Sequence, residues 1–178
     1  MYRTWLAAHL KCLVMLTVAG ALASAQDVPK PGAEHERLKE FVGTWDAVVK
    51  FGNEEAKGTA EYKLECGGLW LVCEFTGEFG GVKFQGRGLD GYDVDKKKYV
   101  GIWVDSMTTS PMVSEGTYDA AAKKLTYHAD GKGPDGKPAK IRSVTTLQDK
   151  DRHDFEMFIT GADGKEASLM SIQYTRRK

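Results

Sequence analysis

Residues 92–107 read YDVDKKKYVGIWVDSM, a charged turn followed by a strand. From Tyr99 the residues separate by parity. Tyr99, Gly101, Trp103 and Asp105 take one face; Val100, Ile102 and Val104 take the other. Successive side chains on a strand point to opposite sides, so the two sets meet different environments. The first face combines two aromatics, a glycine gap and a carboxylate. That mixture suits the wall of a cavity better than a dry core.

The same alternation recurs on both sides of this stretch. Strands are expected near 44–51, 57–66, 69–79, 82–92, 98–105, 112–119, 123–130, 139–148, 153–160 and 166–176. Turn residues separate them about every ten positions, the spacing of an all-β sandwich or barrel. Trp45, Ala47, Val49 and Phe51 fall on one face of their strand. Leu71, Cys73 and Phe75 do so on theirs, as do Phe84, Gly86, Gly88 and Tyr92. Phe155, Met157 and Ile159 share a face, and so do Met170, Ile172 and Tyr174. The opposite faces of these strands read as polar and charged. Sequential strands without intervening helices imply an antiparallel meander, and closing it removes exposed edges. A barrel of eight to ten strands is about wide enough for one small ligand. Ala33 to Val42 is the one mature helix expected, ended by Gly43. It is too short to stand alone and must dock, over one barrel end.

The first 25 residues are read separately. Arg3 and Lys11 are followed by an apolar run from Cys12 to Ala23, then Ala23-Ser24-Ala25 before Gln26. This is the layout of a secretory signal peptide. The run falls short of the roughly 20 residues a spanning helix needs, so no membrane span is expected in the mature chain. The domain organisation is therefore a signal peptide over 1–25, an extended leader over 26–32 and one barrel domain over 33–178. The protein is expected to be exported, to a periplasmic or extracellular location. The whole chain has 25 basic and 25 acidic residues; losing Arg3 and Lys11 leaves 23 basic ones. No basic excess marks a nucleic-acid binder. The run Lys96-Lys97-Lys98 follows Asp93 and Asp95 and reads as a solvated turn.

Cys66 and Cys73 remain after the leader. Gly67-Gly68, read as a two-residue hairpin turn, pairs Cys66 with Leu69 and sets Cys73 roughly 13 Å further along. A disulfide tolerates about 7 Å between Cα atoms, so two free, buried thiols are expected. The histidines His35, His128 and His153 lack metal-ligand spacing. Asp93-x-Asp95 and Asp149-x-Asp151 lack the glycine and glutamate of a calcium loop. No metal, cofactor or catalytic residue is assigned.

Gly43-Thr44-Trp45 opens the first strand directly after the helix, and Arg176 or Arg177 closes the last. This resembles the lipocalin-type signature, which implies Gly43, Trp45 and Arg176 as a barrel-end plug. A wider resemblance runs through Val42-Gly43-Thr44-Trp45, Gly67-Gly68-Leu69-Trp70, Gly91-Tyr92-Asp93 and Tyr99 to Met107. It continues through Glu115-Gly116-Thr117-Tyr118-Asp119 to Tyr174-Thr175-Arg176-Arg177-Lys178. On these motifs the chain resembles the domain-of-unknown-function 1579 family of bacterial, often exported proteins. The resemblance implies a lipocalin-like barrel and no activity.

The leading functional expectation is a barrel holding a small hydrophobic or amphipathic molecule. Trp103, Asp105, Ser106, Met107, Phe75, Phe84, Tyr92, Tyr127, Met157 and Ile172 are the ligand-binding candidates. Pockets combine apolar walls with a few placed polar groups, and Asp105, Ser106 or Tyr127 supply those. One alternative is an enzyme doing acid–base work at the Asp105 end. Another is an interaction module with a solid core.

Overall fold

Ten antiparallel strands follow one another as a meander, and the last returns to pair with the first. The computed structural model describes residues 28–133 and 135–178; the signal peptide expected over 1–25 lies outside them. The strands are β1 (Gly43–Phe51), β2 (Glu54–Glu65), β3 (Trp70–Phe79), β4 (Val82–Asp93) and β5 (Lys98–Asp105). They continue as β6 (Met112–Asp119), β7 (Lys124–Lys132), β8 (Pro138–Asp149), β9 (Arg152–Thr160) and β10 (Glu166–Arg176). The β1–β10 register runs from Trp45 opposite Arg176 to Phe51 opposite Met170. That pairing closes the barrel and leaves no free edge.

The turns use side chains to satisfy backbone donors. Asp93 Oδ1 accepts from the amides of Asp95 and Lys96, and Asp119 Oδ1 accepts from Ala121 and Ala122. Each turn then places a lysine, Lys97 or Lys123, at positive φ. The two similar sequences thus fold by the same hairpin chemistry. Lys96 and Lys98 both pair with Glu115 across an exposed surface, where such pairs contribute little.

One barrel end is sealed. Helix α1 (Ala33–Leu38) passes into a 3-10 turn over Lys39–Phe41, so the α-helix stops short of Val42. Leu38 and Phe41 pack onto Leu71, Tyr99, Leu125, Tyr127 and Leu147. The Tyr99 hydroxyl donates to the Glu34 carbonyl at 3.1 Å, fixing the helix to β5. Beside it Trp45 is 0% exposed, and its indole N–H donates to the Phe41 carbonyl at 2.7 Å. The Arg176 guanidinium lies 4.0 Å from the Trp45 ring centroid. It donates to the carbonyls of Glu40, Val42 and Lys150. Gly43 makes this possible: its φ is +129°, and a Cβ there would sit 2.6 Å from Arg176 Nη1.

Three sequence expectations are corrected. The β2–β3 connection is a four-residue turn, Cys66–Leu69, and Glu65 pairs with Trp70. Cys66, Gly67 and Gly68 all adopt positive φ, one residue too many for a two-residue turn. Both thiols are free, but Cys66 on that turn is exposed and only Cys73 is buried. The outward strand faces are also less polar than expected. Leu89, Ile102 and Val113 pair side by side across β4, β5 and β6, and Ile102, Val104 and Val113 are exposed.

His153 is 1% exposed, stacked on Tyr174 at 4.3 Å and edge-on to Trp45 at 4.4 Å. Its Nδ1 has no partner among the described residues. Burial, then the Arg176 charge, pushes its pKa down to about 3. A charged imidazole here loses water and gains nothing, so the fold holds the neutral form. Its stabilising contribution is complete above the unfolded value near 6.5 and is lost as pH falls toward 3. That loss amounts to about 4–5 kcal/mol at most. His153→Phe is expected to flatten the fall in urea stability between pH 6.5 and 3. Arg176→Lys is expected to cost about 2–3 kcal/mol, seen as a lower urea midpoint at unchanged slope, because three carbonyls lose a forked donor.

Candidate functional site

Inside the barrel, burial is uneven along the axis. Trp45, Ala47, Ala60, Leu71, Cys73 and Tyr99 near the helix are buried. Toward the far end the inward side chains Phe84, Trp103, Met112, Ile141, Met157, Ile159 and Met170 all keep accessible surface. Register puts them on one face: Trp103 opposes Met112, Ile141 opposes Ile159, and Met157 opposes both Ser143 and Met170. These inward apolar groups keep accessible surface at the end away from α1.

Glycines create the room. The Trp103 indole lies across β4, and a Cβ on Gly86 would meet its Cζ2 at 2.2 Å. Phe75 folds over Gly58 in the same way, with a Cβ there 2.4 Å from its Cζ. Phe75, Phe79 and Phe84 then stack edge to face, an arrangement aromatic rings favour.

Deeper in, polar groups converge. Asp90 on β4 is opposite Gly101, which is opposite Ser114. A Cβ on Gly101 would sit 2.9 Å from Asp90 Oδ1 and 2.9 Å from Ser114 Oγ. Tyr127 lies over Gly116 and reaches toward the same point, its Cε1 3.6 Å from that position. Asp90 has inward parity and is half-buried, so its carboxyl lies in the barrel interior. Burial raises its pKa to about 6, and the nearby Tyr127 hydroxyl draws it partly back. Tyr62 and Cys73 complete the surroundings; burial lifts Tyr62 well above the usual phenol range and Cys73 to about 12.

Comparison with known proteins bears on the family. A family model described as a protein of unknown function, DUF1579, matches residues 30–176. This chain belongs to the DUF1579 family. No curated protein matches it. Among solved structures it is similar to Rv2717c from M. tuberculosis, with 11% identity and a TM-score of 0.61. That match covers 83% of this chain and 99% of the other, and it speaks for the fold alone. A de novo designed fluorescence-activating β-barrel matches at 16% identity over 79% of this chain and 96% of its own, with a TM-score of 0.42.

The DUF1579 barrel does not gather the ten ligand candidates in one place. Trp103, Phe84 and Met157 line the open half, with Phe75 and Ile172 buried behind them. Asp105 is at the rim, but its own loop engages it. Oδ1 accepts from the amides of Met107 and Thr108, and Oδ2 from the Trp103 indole at 3.0 Å. Ser106 has outward parity; its Oγ accepts from the Gln85 amide. It lines an open cleft of about 310 Å³ on the outer surface, with Glu74, Thr76, Arg87 and Val104. A neighbouring outer cleft of about 520 Å³ runs over Asp46, Lys57, Thr59 and Lys83. Met107 is exposed on the rim loop. Tyr92 belongs to the sealed end, packed on His35 and Tyr99. Tyr127 belongs to the deep polar group.

Asp90 was absent from the sequence reading, though a signal existed. Phe84, Gly86 and Gly88 face inward, and Asp90 continues that parity. A carboxylate on the inward face of a glycine-rich strand is the anomaly that marks it. No group of three or more His, Cys, Asp or Glu suited to a metal occurs among the described residues.

The raised pKa of Asp90 is also a stability statement. The fold favours the protonated acid, so Asp90 costs nothing below the unfolded value of about 4 and costs most above about 6. Asp90→Asn is therefore expected to stabilise the protein at pH 8 by about 2–3 kcal/mol. The advantage over wild type should vanish by about pH 3.5, as read from paired urea titrations.

Proposed function

We propose that this DUF1579 barrel binds a small, largely apolar molecule that enters between the loops of the open end. One observation carries the reading. Phe84, Trp103, Met112, Met157 and Met170 of that half remain accessible, whereas Leu71, Tyr99, Leu125 and Leu147 beneath α1 are buried. An apolar body against Phe84, Trp103 and Met157 removes their surface from water, at about 25 cal/mol per Å² buried. Methionines suit such a wall, because their unbranched chains adapt to different shapes. The signal-peptide reading of residues 1–25 makes it an exported binder; recovery outside the cytoplasm with Gln26 as first residue is the check.

The binding itself is tested with Nile red, a neutral dye that brightens in apolar surroundings, and by native mass spectrometry of the purified protein. Wild type is expected to bind the dye, to quench Trp103 emission in doing so, and to carry co-purified apolar mass. Met157→Trp, which fills the hollow, is expected to weaken dye binding at least tenfold while the urea midpoint changes little. A bare protein mass together with no dye binding by wild type would sink the proposal.

A further inference from the structure

The deep polar group has a chemistry that the apolar walls do not explain. Asp90 is a carboxylate inside the barrel, on the inward face of β4. No lysine, arginine or histidine among the described residues contributes to its charge environment. Isolated buried carboxylates are costly, and proteins ordinarily pair them or hydrogen-bond them fully. Beside it, Tyr127 is 8% exposed and its hydroxyl has no partner in hydrogen-bond geometry among the described residues. The two groups are close enough for each to shift the other's ionisation. Gly101 and Gly116 make room for these side chains, since a Cβ at Gly101 would crowd Asp90 Oδ1 and one at Gly116 would collide with the Tyr127 ring. The site is thus built: an acceptor, an unpartnered hydroxyl and two glycines that make room for both.

We propose that Asp90 and Tyr127 recognise a cationic head group, so that the molecule held by the barrel is an amphipathic amine. An ammonium donates to the carboxylate and to the hydroxyl oxygen and supplies a countercharge that none of the described residues provides. An anionic head meets the bare carboxylate and is repelled. A neutral hydroxyl satisfies the hydrogen bonds but leaves the charge uncompensated. The apolar tail then points along the axis toward Trp103 and Met157. This inference rests on the open hollow of the proposed function and adds the head-group class.

The pH dependence follows from the groups that face Asp90. These are Tyr62 on β2, Cys73 on β3, Tyr99 on β5 and Tyr127 on β7, with Tyr174 on β10 packed behind Tyr62 and Cys73. Burial raises the pKa of each above its ordinary value, Cys73 and Tyr99 to about 12. His153 on β9 is held neutral. Between pH 5 and 8, Asp90 is therefore the group among these that changes charge, and protonating it removes the partner of the cation.

The experiment is competition of Nile red by n-octylamine, n-octanol and n-octanoate, three probes with one tail and different heads. At pH 7.5 the amine is expected to bind at least tenfold more tightly than the alcohol, and the carboxylate least. Below about pH 6 the amine affinity is expected to fall about tenfold per unit. Asp90→Asn, which keeps the fold, is expected to level amine and alcohol and abolish that pH dependence. Tyr127→Phe is expected to weaken both amine and alcohol a few-fold. If Nile red binds but the three heads compete equally, or if the amine preference survives Asp90→Asn, the head-group inference is overturned and the open hollow stands. If Nile red does not bind wild type, both fall together.

Discussion

The guanidinium of Arg176 is the clasp on which this barrel depends. It lies over the buried Trp45 ring and donates to carbonyls on the 3-10 turn, the start of β1 and the β8–β9 turn. One planar cation therefore ties the first strand, the last strand and the covering helix. A forked donor can do this and a point charge cannot, because the carbonyls lie in different directions. Gly43 is part of the same device, since its missing side chain admits the guanidinium. Closing the cylinder at this point sets which end is sealed and which is left open.

The interior then divides by how side chains use glycines. At the open end, Trp103 lies across Gly86 and Phe75 across Gly58, so bulky rings lean on the wall. Deeper, Gly101 and Gly116 let Asp90 and Tyr127 approach one another. Ten strands supply the circumference, and the glycines decide where the circumference is left unfilled.

Two buried titratable groups reveal different purposes. His153 sits among aromatic rings at the sealed end and is held neutral, so it behaves as a packing group. Asp90 lies on the inward face of β4, and its burial lowers stability at neutral pH. Residues that cost stability without a structural return tend to mark function. The two effects oppose each other in acid. His153 is displaced further, down to about 3, than Asp90, up to about 6, so acid destabilises this pair of groups as a whole.

Alternation along the chain determined the strands, their order and their inward faces, because a period of two is local and survives any tertiary context. Gly43-Thr44-Trp45 and the closing arginine marked the sealed end from sequence alone. The connection at Cys66 to Leu69 was misread because turn length depends on how many residues take positive φ, which the letters Gly-Gly do not state. Asp105 and Ser106 looked like the polar mouth because they follow Trp103. Only the folded rim shows one carboxylate engaged by its own loop and one hydroxyl facing outward. Asp90 shows the same limit from the other side. Parity places it inward, but its standing as a carboxylate without a countercharge arises from Gly101, Ser114 and Tyr127, residues on three other strands. Local pattern dictates which way a side chain points; closure of the sheet decides what it meets there.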